Sequence, residues 1–141
     1  MTWLGVTQNL ISSNRKKMNL ILIFFGAGLG GVCRYIISIL SYQFLGRDFP
    51  YGTLIVNATG SFLIGVLFTL LIERFVDTGI ELRALLIIGF VGGYTTFSSF
   101  SLETLQLIED GSWMLAGVNV VLNVSLCLIL SYIGIKLGRL S

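Results

Sequence analysis

The chain has 141 residues, 55% of them hydrophobic and only 11% charged, with a mean hydropathy of +0.90, 17 Gly, one Pro and no His. Water-soluble domains carry about 25% charged residues, and so short a chain has too little interior to hide this much apolar side chain; lipid has to be part of its solvent. Without His there is neither an imidazole base nor an imidazole metal ligand, so an enzyme is not expected, and a net charge of +2, scattered along the chain, does not suit nucleic acid.

Residues 1–18 read as an N-terminal tail, polar and without periodicity through residue 14, and are expected to be disordered. Met18 offers an alternative start. The run Arg15-Lys16-Lys17 imitates the front of a signal peptide, but the apolar segment behind it is too long and has no small-residue cleavage site. A bilayer-crossing helix needs about 20 mostly apolar residues, because all its backbone polar groups must be satisfied internally. Four stretches qualify, about 19–42, 52–72, 84–107 and 113–135, joined by QFLGRDFP, ERFVDTGIELR and IEDGS, the last with an Asp110-Gly111 turn. The fold class is therefore an all-α membrane protein in which residues 19–141 form one four-span unit. Seven Lys and Arg on one side (Arg15, Lys16, Lys17, Arg74, Arg83, Lys136, Arg139) face Arg47 alone on the other, or four to one counted from Met18. That bias puts both termini in the cytoplasm, with the chain in the plasma (inner) membrane.

Side chains at i and i+4 share a helix face. Gly26, Gly30, Arg34 and Ser38 form such a stripe in the first span, Thr53, Asn57 and Ser61 in the second, and Asn119, Asn123, Cys127 and Ser131 in the fourth. Glycines and Ser131 in these stripes suit close helix packing, as does the pair Gly134 and Gly138. For Asn57 and Asn123 two readings stand side by side, a bond between helices or an amide offered to a solute. Gly26-Ala-Gly-Leu-Gly30 follows no strand and is not a phosphate loop. Cys33 and Cys127 lie far apart in apolar runs and read as small hydrophobes.

In the third span an apolar run gives way to Gly92-Gly93-Tyr94-Thr95-Thr96-Phe97-Ser98-Ser99-Phe100-Ser101. Gly-Gly followed by Thr-Thr forms helix poorly, so a break is expected near mid-membrane, where freed carbonyls are ready ligands for a small cation. Phe97 and Phe100 are i, i+3 neighbours among serines, and the positive edges of aromatic rings beside hydroxyl and amide donors suit an anion without any fixed charge. Glu103 is the one carboxylate well inside a span, and none lies at mid-depth for proton coupling. Arg34 either meets a wet vestibule or bonds to Glu103.

The strings G-G-V-C-R-Y (Gly30 to Tyr35), P-Y-G-T-L-I-V-N-A-T-G-S-F (Pro50 to Phe62) and G-F-V-G-G-Y-T-T-F-S-S-F-S-L-E (Gly89 to Glu103) resemble the Fluc/CrcB family of fluoride channels, a resemblance that runs through residues 19–141. It implies an antiparallel dimer of four-helix subunits with two narrow pathways at the interface, passive efflux of cytoplasmic fluoride and hence fluoride resistance. On this resemblance Phe97 and Phe100 supply ring edges, Asn57 donates its amide to the ion, and Ser98 or Ser99 adds a hydroxyl track. A structural Na+ at the dimer centre would be held by the backbone carbonyls of Gly92 and Thr95. Where the family often has a pathway serine in the fourth span, this chain has Asn123, with Ser125 on another face, and both are candidates. The charge bias leaves two partners open, an oppositely inserted second copy or an oppositely oriented relative. A proton-driven multidrug exporter would need a carboxylate in the first span, which has none; a non-transporting assembly subunit would carry no ion flux.

Overall fold

The computed structural model describes residues 13–74 and 79–140, and all regular secondary structure within them is helical. Helix α1 spans Ser13–Leu45. Helix α2, Tyr51–Phe68, is prolonged by π-helical Thr69–Arg74. The short α3, Ile80–Leu82, leads into π-helical Arg83–Val91 and α4, Gly92–Tyr94. Helices α5, Phe97–Glu109, and α6, Trp113–Leu140, complete the chain. Four spans, Arg15–Leu45, Tyr51–Arg74, Ile80–Glu109 and Trp113–Leu140, are long and apolar enough to cross a bilayer.

Each span outruns its apolar stretch because Arg, Lys and Glu are good helix formers and an existing helix extends more easily than a new one nucleates. For that reason α1 begins at Ser13, inside the stretch 1–18 expected as tail; residues 1–12 lie outside the described part. Gly46, at φ +85°, ends α1 with its N–H on the Tyr42 carbonyl (3.2 Å). The Asp110-Gly111 turn closes α5: Gly111, at φ +75°, donates to the Ile108 carbonyl (3.0 Å) and Ser112 to that of Leu107 (2.8 Å).

The spans pair first with third and second with fourth. A methyl added at Gly26 would strike the Leu85 carbonyl oxygen, and one at Gly30 that of Phe90. Gly89 and Gly93 on the third span press back on Gly26 and Ala27. Contacts advance together along both spans, so the pair runs parallel. In the other pair Gly65 abuts the Ser131 carbonyl, Gly134 abuts that of Phe62, and the Ser131 hydroxyl donates to the Ser61 carbonyl (3.0 Å). Arg139 clamps Glu73 through two nitrogens at 2.7 and 3.0 Å at one end of this pair.

The apolar core is small, centred on Leu71, Ile72 and Ile87. Phe24, Phe25 and Leu29 on α1 and Val121, Leu128 and Ile129 on α6 face outward. Such apolar surface is untenable in water but ordinary against lipid, where helices associate through close contact of small residues instead of hydrophobic burial. The chain is a multi-pass membrane protein.

The glycine seam makes a sharp prediction. Gly30→Ala should lower the thermal unfolding temperature of the detergent-solubilised protein, overpacking of this kind costing about 1–3 kcal/mol. Gly28→Ala and Gly31→Ala, where an added methyl meets nothing within 4 Å, should leave it unchanged or raised.

Candidate functional site

Helical geometry stops at Tyr94 and resumes at Phe97, with Thr95 (φ −77°, ψ 158°) and Thr96 (φ −151°, ψ 111°) extended between. In a continuous helix the Thr96 N–H would go to the Gly92 carbonyl and the Ser99 N–H to the Thr95 carbonyl. Neither does. The Thr96 N–H donates to Asn57 Oδ1 (2.8 Å), and the Ser99 N–H donates to Thr96 Oγ1 (3.1 Å), which caps α5. Asn57 also returns a bond, Nδ2 to the Thr96 carbonyl (3.1 Å). One side-chain amide from α2 thus satisfies both backbone groups of Thr96, as a neighbouring peptide would.

Neighbours fix this clamp. The Tyr94 ring is buried, stacks on Phe90 with centroids 5.9 Å apart, and places its hydroxyl 2.8 Å from Thr59 Oγ1. Gly60 lets Thr95 and Tyr94 approach α2 closely, since a methyl there would strike the Thr95 side chain. From the fourth span Asn123 Oδ1 accepts a second bond from Asn57 Nδ2 (3.1 Å). Asn123 Nδ2 donates to Asn119 Oδ1 (2.9 Å), Asn119 Nδ2 to Thr104 Oγ1 (2.9 Å), and Thr104 Oγ1 to the Phe100 carbonyl (2.7 Å).

Two concavities flank the extended residues. A groove of about 630 Å3 is lined by Asn57, Gly92, Thr95, Thr96, Phe97, Phe100 and Asn123 among others, with no charged side chain in its wall. Phe100 is buried and Phe97 is 78% exposed, their ring centroids 5.4 Å apart and their planes tilted by 58°. The N-terminus of α5 lies here and adds positive potential without a formal charge. A second cavity of about 610 Å3 is lined by Arg34, Ser38, Tyr42, Thr53, Thr96, Ser99 and Glu103 among others. Thr96 belongs to both walls.

Six of the candidate pathway and metal-holding residues therefore meet in one groove: Asn57, Phe97, Phe100, Asn123, Gly92 and Thr95. Ser99, Arg34 and Glu103 share the other cavity. Arg34 and Glu103 make no ion pair there; Glu103 Oε1 accepts from Thr53 (2.8 Å) and Tyr42 (3.3 Å), and its Oε2 is buried without a partner. Ser98 is exposed, with its hydroxyl 3.2 Å from Thr96 Oγ1, and Ser125 is exposed on α6; neither lines the groove or the second cavity. Thr96 is not among the candidate residues above, although a Thr ahead of Phe-Ser-Ser after a break is a helix-start signature. Nor are Thr104 and the Thr59–Tyr94 contact, for which the sequence carries no distinctive signal.

With this geometry in view, the comparisons with known proteins decide the family. The family described as CrcB-like protein, Camphor Resistance (CrcB), matches residues 21–135. The chain belongs to that family. A relative from Coxiella burnetii (strain CbuK_Q154), named fluoride-specific ion channel FluC, is 54% identical over 123 residues, covering 86% of this chain and 98% of the relative. Relatives of the same name from Shewanella sp. (strain ANA-3) and Shewanella baltica (strain OS185) are 49% and 50% identical over 119 residues, covering 84% of this chain and 94% of each relative. These relatives are named as channels, not as enzymes. The family's matched region contains both concavities.

The cap gives this site a test independent of transport. Thr96→Ala should accelerate backbone amide exchange at Ser99 and cost about 1 kcal/mol of stability, whereas Thr96→Ser, which keeps the accepting oxygen, should restore both.

Proposed function

We propose that this chain is a fluoride-selective channel subunit that lets cytoplasmic fluoride leave passively. The observation that carries the reading is the convergence of Asn57 from the second span with Phe97 and Phe100 from the third on one uncharged groove, in a chain about half identical to relatives named fluoride-specific ion channel. Fluoride is small, strongly hydrated and a strong hydrogen-bond acceptor. A pathway has to replace its water with donors, yet hold it weakly enough to release it. An amide, hydroxyls and ring edges meet both demands; a cationic side chain in direct contact with the ion would bind too tightly.

The ion moves between the Phe97–Phe100 groove and the Arg34–Glu103 cavity past Thr96, the residue common to both walls. Phe97 and Phe100 offer ring edges, Asn57 its amide and Ser99 its hydroxyl. Arg34 attracts the anion to the second cavity without standing in the groove. Hydrogen fluoride enters cells as the neutral acid and dissociates in the less acidic cytoplasm, so a passive route outward for the anion confers resistance with no ATP or proton site.

In this reading the subunit assembles in the inner membrane as an antiparallel dimer, with a second copy or an oppositely oriented relative closing the open groove over the exposed Phe97 ring. A structural Na+ would sit at the same break, at the dimer centre, held by the carbonyls of Gly92 and Thr95; what supports this is that their helical donors are taken by Asn57 and Thr96. Bound there, it would supply a fixed charge that cross-links the two third spans.

Purified protein in liposomes should release trapped fluoride and retain chloride, measured with ion-selective electrodes. Phe97→Ile or Phe100→Ile should cut the fluoride rate at least tenfold while the protein stays folded, the expected scale for removing a contact worth roughly 1.4 kcal/mol or more in the barrier. Wild-type rates in both variants would discard the pathway assignment.

A further inference from the structure

Asn57 has two N–H groups, and neither is idle. One goes to the Thr96 carbonyl and the other to Asn123 Oδ1, each at 3.1 Å. The direction of these amides is set from both ends of the chain of bonds. At one end the Thr96 backbone N–H can only donate, so it fixes Asn57 with Oδ1 toward Thr96. At the other end the Phe100 carbonyl can only accept. It takes the Thr104 hydroxyl proton, so Thr104 has to accept from Asn119 Nδ2, and Asn119 then turns Oδ1 toward Asn123. Asn123 donates to both the backbone and side-chain oxygens of Asn119 (3.1 and 2.9 Å) and is left with Oδ1 facing Asn57. Asn119 is fully buried and Asn123 is 4% exposed, so water does not scramble this order.

An anion that seeks the Asn57 amide therefore has to evict an oxygen. The Thr96 carbonyl is poorly placed to yield, being one half of a two-bond clamp on rigid backbone. Asn123 Oδ1 is a side-chain oxygen in the wall of the same groove. We propose that Asn123 is an internal acceptor that competes with fluoride for the Asn57 N–H, and that Asn119, held by Thr104, is the positioning residue that keeps it in that role. This rests on the channel reading above and assigns Asn123 a part opposite to that of a donor to the ion. Exchange of one acceptor for another makes a shallow well: fluoride gains a bond at Asn57 while Asn123 gives one up, and the returning oxygen helps the ion leave.

The test is the initial rate of fluoride efflux from liposomes as a function of fluoride concentration, read as a half-saturating concentration and a maximal rate. Asn123→Ala leaves an Asn57 N–H unclaimed, so the half-saturating concentration should fall by on the order of two- to tenfold, the worth of one net hydrogen bond, and the maximal rate should fall with it. Asn123→Ser, whose shorter side chain withdraws the oxygen while keeping the position polar, should shift it the same way and serves if the alanine variant does not fold. Asn119→Ala should shift it in the same direction, and adding it to Asn123→Ala should produce no further change, because it acts through Asn123.

A half-saturating concentration that rises in Asn123→Ala would make Asn123 a ligand of the ion and overturn the proposal. An unchanged value, with rates falling only in proportion to folded protein, would reduce Asn123 to a structural contact and overturn it equally. Wild-type protein that retains its fluoride would instead remove the channel reading itself.

Discussion

Two residues of extended backbone inside an apolar span create a debt of hydrogen bonds that lipid cannot meet. The rest of the site depends on how the chain settles it. Asn57 reaches across from the second span and binds both the N–H and the carbonyl of Thr96, while the Thr96 hydroxyl caps the helix that follows. Because these side-chain oxygens take the amide protons, the carbonyls of Gly92 and Thr95 lose their helical donors. The clamp thus joins two spans, starts α5 with Phe97 and Phe100 at its first turn, and leaves uncharged polar groups where the groove and the second cavity meet.

Holding that arrangement in register falls to close packing. The first and third spans touch through Gly26, Gly30, Gly89 and Gly93, and the second and fourth through Gly65 and Gly134. Backbone contacts of this kind tolerate little sliding, so the amide of Asn57 arrives at Thr96 within hydrogen-bond distance and the amides of the fourth span arrive behind it. A larger apolar core would offer looser positioning than these backbone-to-backbone seams, since lipid competes with apolar side chains for the same contacts.

The sequence disclosed the spans because a bilayer imposes a length and a hydrophobicity that composition reveals directly. It also disclosed which faces carry Asn57, Asn119 and Asn123, since the i, i+4 spacing survives folding. What it could not disclose was the partner of each group. Asn57 meets the backbone N–H of a residue 39 positions away, and that N–H is available only because the helix is interrupted there. The direction of the amides in the fourth span follows from the Thr104 hydroxyl, and a lone threonine on a helix gives no sign of such a role because bonding to its own i−4 carbonyl is its habit. The alternatives left for Arg34 needed tertiary geometry: it shares a cavity with Glu103, while Glu103 bonds to Thr53 and Tyr42.

Backbone hydrogen exchange of the lipid-embedded protein tests most directly that the Asn57 amide stands in for the missing helical partner of the Thr96 N–H. The Thr96 amide should be strongly protected in the wild type, although its residue is not helical, and should lose that protection in Asn57→Ala while Leu54 and Ala58 on α2 keep theirs. Free exchange at Thr96 in the wild type, or protection that survives the substitution, would contradict the account.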